Sequence, residues 1–157
     1  MQTRFSGAYD YKLDDRGRVP IPPAFRAALK EACYLGAGAD DCLHLYSGEE
    51  FDRQAALFDA LPEGDPVAED ARRDFYANFW PTEIDSQGRI NLPDDLAARA
   101  GITKDAREIK VVGVGRRIEI WNAAVYAARE AERKRARAQV AASGFSAGRP
   151  PQPQGGA

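Results

Sequence analysis

Apolar side chains recur at every second position in several short stretches of the chain. Tyr9, Tyr11 and Leu13 alternate with polar residues, as do Val19 and Ile21, and Leu43-His44-Leu45-Tyr46 continues the pattern. A period of two is that of a half-buried strand. Between the strands the spacing changes. Ser47-Gly48-Glu49-Glu50 reads as a capping box, and the FDRQAALFDAL that follows places Phe51, Ala55 and Phe58 on one helical face. Asp65-Pro66 opens a further helical stretch through Phe75 toward Phe79. Asn122 is placed to cap a last helix from Ala123 to about Ala142. That helix is rich in Ala and Arg and poor in large apolar groups past Tyr126, so it is expected to project into solvent or meet a neighbour. SGFSAGRPPQPQGGA, at 143–157, has no apolar pattern and reads as a flexible tail.

The pattern occurs twice. Residues 11–25 read YKLDDRGRVPIPPAF and residues 82–96 read TEIDSQGRINLPDDL. At a constant offset of 71, Leu13 matches Ile84, Asp14 Asp85, Gly17 Gly88, Arg18 Arg89, Val19 Ile90, Ile21 Leu92 and Pro22 Pro93. Leu43-His44-Leu45-Tyr46 then matches Ile118-Glu119-Ile120-Trp121 at an offset of 75. Each copy holds a strand, a D-x-x-G-R turn, a strand, a short helix, a strand pair and a second helix. The expected organisation is repeat one at 7–61, a linking helix at 62–77, repeat two at 78–127, and a basic helix with a flexible tail at 128–157.

Both D-x-x-G-R segments have the chemistry of a tight hairpin. An aspartate can accept hydrogen bonds from backbone N–H groups just ahead of it, and a glycine can take positive φ. Turn formation accounts for Asp14, Gly17, Asp85 and Gly88. It does not account for an arginine at the same offset in both copies, Arg18 and Arg89. A guanidinium offers a planar fork of donors that suits phosphate oxygens and the guanine edge. Arg16 adds a second cation in copy one, and Gln87 holds that place in copy two without charge. The pair of turns therefore points to double-stranded nucleic acid, with Arg16, Arg18, Gln87 and Arg89 as the candidate contacts.

Charge qualifies this. The 157 residues carry 22 basic and 24 acidic side chains, a net −2. Residues 122–157 hold six basic groups (Arg129, Arg133, Lys134, Arg135, Arg137, Arg149) against Glu130 and Glu132, so the remainder is acidic. A generic polyanion binder carries a basic excess, so binding here must come from a few placed cations.

FSG at 5–7, LDDRGRVPIP at 13–22, DCLHLY at 41–46, EIDSQGRINLP at 83–93 and VVGVGRRIEIW at 111–121 together resemble the MraZ family of bacterial transcriptional regulators. The likeness covers roughly residues 1–130. It implies an α+β, β-rich fold: a double-split, swapped-hairpin β-barrel made from two tandem SpoVT/AbrB-like repeats with peripheral helices. It also implies a ring-like homo-oligomer bound to repeated sites in the promoter of its own operon, the division and cell-wall gene cluster, with DNA contacts from the two D-x-x-G-R loops. The expected location is cytoplasmic and nucleoid-associated. Arg16 stands where lysine is frequent in the family, and Asn91 where an apolar residue is common.

The other features read as structural. Cys33, Cys42 and His44 fit no zinc spacing and lack a fourth ligand, so no metal or other cofactor is expected. The cysteines should be reduced and partly buried. His44, the one histidine, lies in an alternating strand, as a surface or strand-face residue rather than a base, and no nucleophile–base set for an enzyme emerges. Val112-Gly113-Val114-Gly115 has no following Lys-Ser/Thr, and reads as a hairpin rather than a phosphate cradle. Trp80 and Trp121 suit core or interface anchors, and Arg72-Arg73 the solvated face of the linking helix. No apolar run is long enough to span a bilayer. The competing function is an antitoxin-like swapped-hairpin protein that neutralises a toxin and regulates itself. The tandem repeat and the basic tail count against it.

Overall fold

The computed structural model describes residues 4–38 and 40–143. The tail from 144 onward and the corresponding part of the 128–157 segment lie outside the described residues. Eight strands and five helices follow in the order β1 (Ala8–Lys12), β2 (Arg18–Pro20), α1 (Pro23–Arg26), β3 (Cys33–Ala37), β4 (Leu43–Ser47), α2 (Gly48–Asp59), α3 (Pro66–Ala77), β5 (Phe79–Thr82), β6 (Arg89–Asn91), α4 (Asp94–Arg99), β7 (Glu108–Val114), β8 (Arg117–Asn122) and α5 (Ala123–Ala142). Helix α1 runs on into a 3₁₀ turn at Ala27–Leu29. The two halves carry corresponding elements in the same order.

The pairing interleaves those halves. A six-stranded antiparallel sheet has the order β1-β7-β8-β4-β3-β5, and β2 and β6 form a separate two-stranded ribbon. Only the hairpins β3–β4 and β7–β8 stay within one repeat. The remaining pairs, β1–β7, β3–β5, β4–β8 and β2–β6, each join a strand of one repeat to a strand of the other. Exchanging the repeats maps β1–β7 onto β5–β3 and leaves β2–β6 and β4–β8 unchanged, so an approximate twofold passes through the latter two pairs. The molecule is thus a strand-rich α+β protein. Its large sheet ends at β1 and β5 and does not close into a barrel through backbone pairing among the described residues.

The alternating positions face one shared core. Val19, Ile21, Leu43, Leu45, Ile90, Ile109, Val111, Ile118 and Ile120 are fully buried, joined by Phe25 and Leu29 from the first repeat and Leu96, Ala97 and Ile102 from the second. Burying a side chain of this size contributes roughly 1.5–3 kcal/mol, and here each contribution depends on both repeats being present. A second, aromatic cluster lies under α2 and α3. Phe51 stacks on Tyr34 at 3.8 Å between ring centroids, and Phe58 on Phe75 at 4.4 Å, with Tyr46 and Phe79 completing the group.

Local signals set the helix ends. Asp65 Oδ1 accepts from Val67 N and Ala68 N at the start of α3, and Asn122 Oδ1 accepts from Ala124 N and Val125 N at the start of α5. The capping box at α2 is half formed. Ser47 Oγ accepts from Glu50 N at 3.2 Å, but the Glu50 carboxylate turns away to Arg53 and Gln54. Helix α3 stops at Ala77, short of the expected Phe79, because Phe79 is taken into β5 against Gly36. Val114 and Arg117 pair around a two-residue turn, which makes the glycine-rich segment a hairpin. Gly113 in it is a close-packing position, where a Cβ would strike the backbone of Phe5 and Ser6. Trp121 is buried, while Trp80 on edge strand β5 is 42% exposed. Arg72 is more than a solvated face residue, since it also donates to Leu61 O at 2.8 Å. No described helix is long and apolar enough to cross a membrane.

Candidate nucleic-acid interface

The ribbon β2–β6 brings the two D-x-x-G-R turns together. Its register is Arg18↔Asn91, Val19↔Ile90 and Pro20↔Arg89. Val19 and Ile90 point into the core with no exposure, which fixes the face on which the neighbouring arginines emerge. Ile21 N donates to Gly88 O at 2.8 Å and Leu92 N to Gly17 O at 3.3 Å, so each turn is stitched to the strand leaving the other.

Within a turn the aspartate organises everything. Asp14 Oδ1 accepts from Arg16 N at 3.0 Å and Arg18 N at 2.8 Å, and Oδ2 accepts from Arg18 Nε at 2.7 Å. Asp85 repeats this with Gln87 N at 2.9 Å, Arg89 N at 2.9 Å and Arg89 Nε at 3.1 Å. Gly17 and Gly88 sit at φ +73° and +78°, a region that a residue with a Cβ enters at a cost. The backbone N–H of Arg18 holds the Asp14 carboxyl below its ordinary pKa, helped by the Arg18 side chain and the N–H of Arg16 against the opposing effect of burial. Asp85 is lowered in the same way, first by the N–H of Arg89.

The arginines also cross between copies. Arg89 Nη1 reaches Asp14 Oδ2 at 3.3 Å, and Arg18 Nη1 lies 3.7 Å from Asp85 Oδ2. Asp14, Arg18, Asp85 and Arg89 form one four-membered, charge-balanced cluster on the approximate twofold. This refines the sequence reading, which treated Arg18 and Arg89 only as outward donors. Both are half-buried latches between the repeats, with 25% and 22% of their side chains exposed. Their Nη2 groups make no hydrogen bond among the described residues, so part of each fork stays available. Arg16 and Gln87 occupy the exposed tips, their backbones pinned by the aspartates and their side chains free of hydrogen bonds within the described residues.

Three cations that the motif did not reveal border these turns. Arg107 donates from Nη2 to Leu13 O at 2.8 Å and pairs with Asp15 at 3.1 Å. With Lys104 it lines an open cleft beside Asp14, Arg16 and Gly17. Arg26, held by a bond from Nε to Ile21 O at 2.9 Å, lays its guanidinium over Gly88. Arg26 and Arg107 lie 5 residues after Ile21 and 94 after Leu13, and the second contact had no local signal.

The sequence matches a known family across both repeats. The family model described as "MraZ protein, putative antitoxin-like" matches residues 4–74 and again 77–146. The chain belongs to the MraZ family. A protein of Acetivibrio thermocellus named "Transcriptional regulator MraZ" is 39% identical over 118 residues, covering 75% of this chain and 80% of that one. A protein of Kocuria rhizophila with the same name is 38% identical over 122 residues, covering 78% and 83%. The two matches to the MraZ model divide at 74–77, at the end of α3, so the family repeat coincides with the duplicated set of strands and turns.

Proposed function

We propose that this chain is a DNA-binding transcription regulator that reads double-stranded DNA through the paired D-x-x-G-R turns. The observation that carries the reading is the cluster Asp14–Arg18–Asp85–Arg89, which locks two like turns side by side in a chain of the MraZ family. The latch fixes the turns, the exposed Arg16 and Gln87 sample base edges or phosphates, and the remaining guanidinium donors of Arg18 and Arg89 add to the contact. Arg26, Lys104 and Arg107 supply flanking positive charge. Contacts to phosphate position a protein on the duplex, and contacts to base edges give sequence preference. The names of the relatives support a role in transcription.

The finer reading follows from the family. The two sheets are the halves of a split barrel with hairpins exchanged between repeats 7–61 and 78–127. The protomers assemble into a ring that engages repeated sites in the promoter of the division and cell-wall gene cluster, within the nucleoid. A ring resolves the charge problem, because linked sites gain roughly 10²–10⁴-fold in avidity without new contacts. The antitoxin-like alternative is weaker, because the described part of α5 is basic and buries no residue.

Gel-shift titrations of a promoter fragment at several salt concentrations test this. Arg16→Ala and Gln87→Ala should weaken binding while leaving unfolding temperature and oligomer size unchanged. Each lost phosphate contact should reduce the salt slope by about 1. Arg18→Ala and Arg89→Ala should weaken binding and also lower stability. Wild-type affinity in all four variants would remove the turns from the interface.

A further inference from the structure

Away from the turns, four potential metal ligands converge on one face of the β4–β8 pair. Asp40 and Cys42 lie in the bend that leads into β4, and His44 is the second residue of that strand. Glu119 stands directly across from His44 in the strand register. One ligand atom from each of the four lies within 4.8 Å of all the others. Cys33 is not among them, and its Sγ faces Thr82 O at 3.2 Å. The sequence reading grouped Cys33 with Cys42 and His44; the structure replaces it with Asp40, two residues before Cys42, and adds Glu119, which sits 75 residues beyond His44 and arrives only through strand pairing.

The second observation is His44 itself. Its residue is 9% exposed, yet its buried Nε2 has no hydrogen-bond partner among the described residues. It lies 3.7 Å from Glu119 Oε2, too far for a hydrogen bond. Folded proteins rarely leave such an atom unmet. Gly38 makes the placement possible, because a Cβ there would strike the imidazole ring. Glu119 is oriented by its neighbours. Its Oε2 accepts from Arg117 Nε and Nη2, and its Oε1 from Trp121 Nε1 at 3.1 Å. A carboxylate oxygen has two lone pairs, so Oε1 keeps one for a further partner.

We propose that Asp40, Cys42, His44 and Glu119 form a binding site for a zinc-class divalent cation, joining β4 of the first repeat to β8 of the second. Thiolate, imidazole and carboxylate together are the donor set for such an ion, and tetrahedral bonds of about 2.0–2.3 Å need the ligand atoms to close up by only about 1 Å. Burial, then the charges of Glu119 and Asp40, pushes the Cys42 thiol up to about 12. On binding, the S–H bond breaks, its proton leaves to solvent, and the sulfur pair forms the metal bond. An open pocket lined by Asp40, Glu119, Trp121, Arg129, Glu132 and Arg133 borders two of the four ligands. The site is independent of the DNA reading.

Cobalt(II) titration of the full-length, chelator-treated protein tests the proposal, with zinc as competitor. The expected result is one Co²⁺ per chain, tetrahedral visible bands, a sulfur-to-cobalt charge-transfer band, and loss of both on adding Zn²⁺. Cys42→Ser should abolish the charge-transfer band, and folded Cys33→Ser should keep it. Asp40→Asn changes an exposed residue outside the strands. It should therefore keep the metal-free unfolding temperature and weaken Co²⁺ binding by at least about tenfold. Absence of saturable binding, a charge-transfer band that survives Cys42→Ser, or unchanged affinity in Asp40→Asn would each overturn it.

Discussion

Replacing Gly88 with alanine should cost more stability than the same change at Gly17, and Arg26 is the reason. Both glycines hold positive φ, and forcing a Cβ into that region costs roughly 1–2 kcal/mol. A fraction of that is returned because alanine restricts the unfolded chain. At Gly17 the new methyl meets only Leu92 O, at 3.9 Å, so the net loss is about 1 kcal/mol. At Gly88 the methyl collides with the Arg26 guanidinium. That side chain is flexible and can swing away, but it then gives up its bond to Ile21 O, worth about 1 kcal/mol more. For a chain of this length the extra loss lowers the unfolding temperature by a further 2–4 °C or about that. Thermal and urea unfolding of Gly17→Ala, Gly88→Ala, Arg26→Ala and the Gly88→Ala/Arg26→Ala pair measure it. In the Arg26→Ala background the Gly88 substitution should cost no more than Gly17→Ala does in the wild type. Equal losses for the two single glycine variants, or an excess that persists without Arg26, would refute the reasoning.

Acid should unlatch the turns. Asp14 and Asp85 both titrate below the ordinary aspartate value of 3.8, so the unfolded chain binds protons first, and their contribution is whole above that pH and falls away as the pH drops through the lowered folded values; unfolding midpoints between pH 2 and 6 check this, and Asp14→Asn should flatten the profile. Cys33 and Cys42 are free, buried and pushed up to about 11 and 12, chiefly by burial, so in metal-free native protein iodoacetamide should modify them far more slowly than in urea, as mass spectrometry will report. Helix α5 buries no residue, and its firm anchors are the Trp121–Tyr126 contact and the Arg129–Asp41 ion pair at 2.6 Å. Arg137→Ala, on the exposed last turns of this helix, should therefore leave the unfolding temperature unchanged in a thermal melt.

What the sequence made legible was local. The D-x-x-G-R turns, the helix start at Asp65-Pro66, the cap at Asn122 and the end of α5 at Ala142 each depend on residues a few positions apart, and each lies where the pattern put it. The family and the strand-rich α+β class followed from the repeated motif. Contacts set by strand register were out of reach. Nothing near Arg89 in the chain announces Asp14, 75 residues earlier, and nothing near His44 announces Glu119. Arg26 followed from a helix that packs one repeat's side chain over the other repeat's turn. The open edges at β1 and β5 depend on which of several similar apolar strands pair, and alternation alone does not choose among them.

The crossed pairing has a consequence for divergence. A half-length polypeptide with this topology would have to find a second copy of itself to complete any sheet, and both copies would then change together with every mutation. Carrying both halves on one continuous backbone removes that constraint. One bend can bear Arg16 while its counterpart bears Gln87, and one can acquire the guanidinium of Arg26 as a lid while the other stays open. Covalent tethering thus permits a lopsided pair of turns, which under the proposed function would suit targets whose two arms differ.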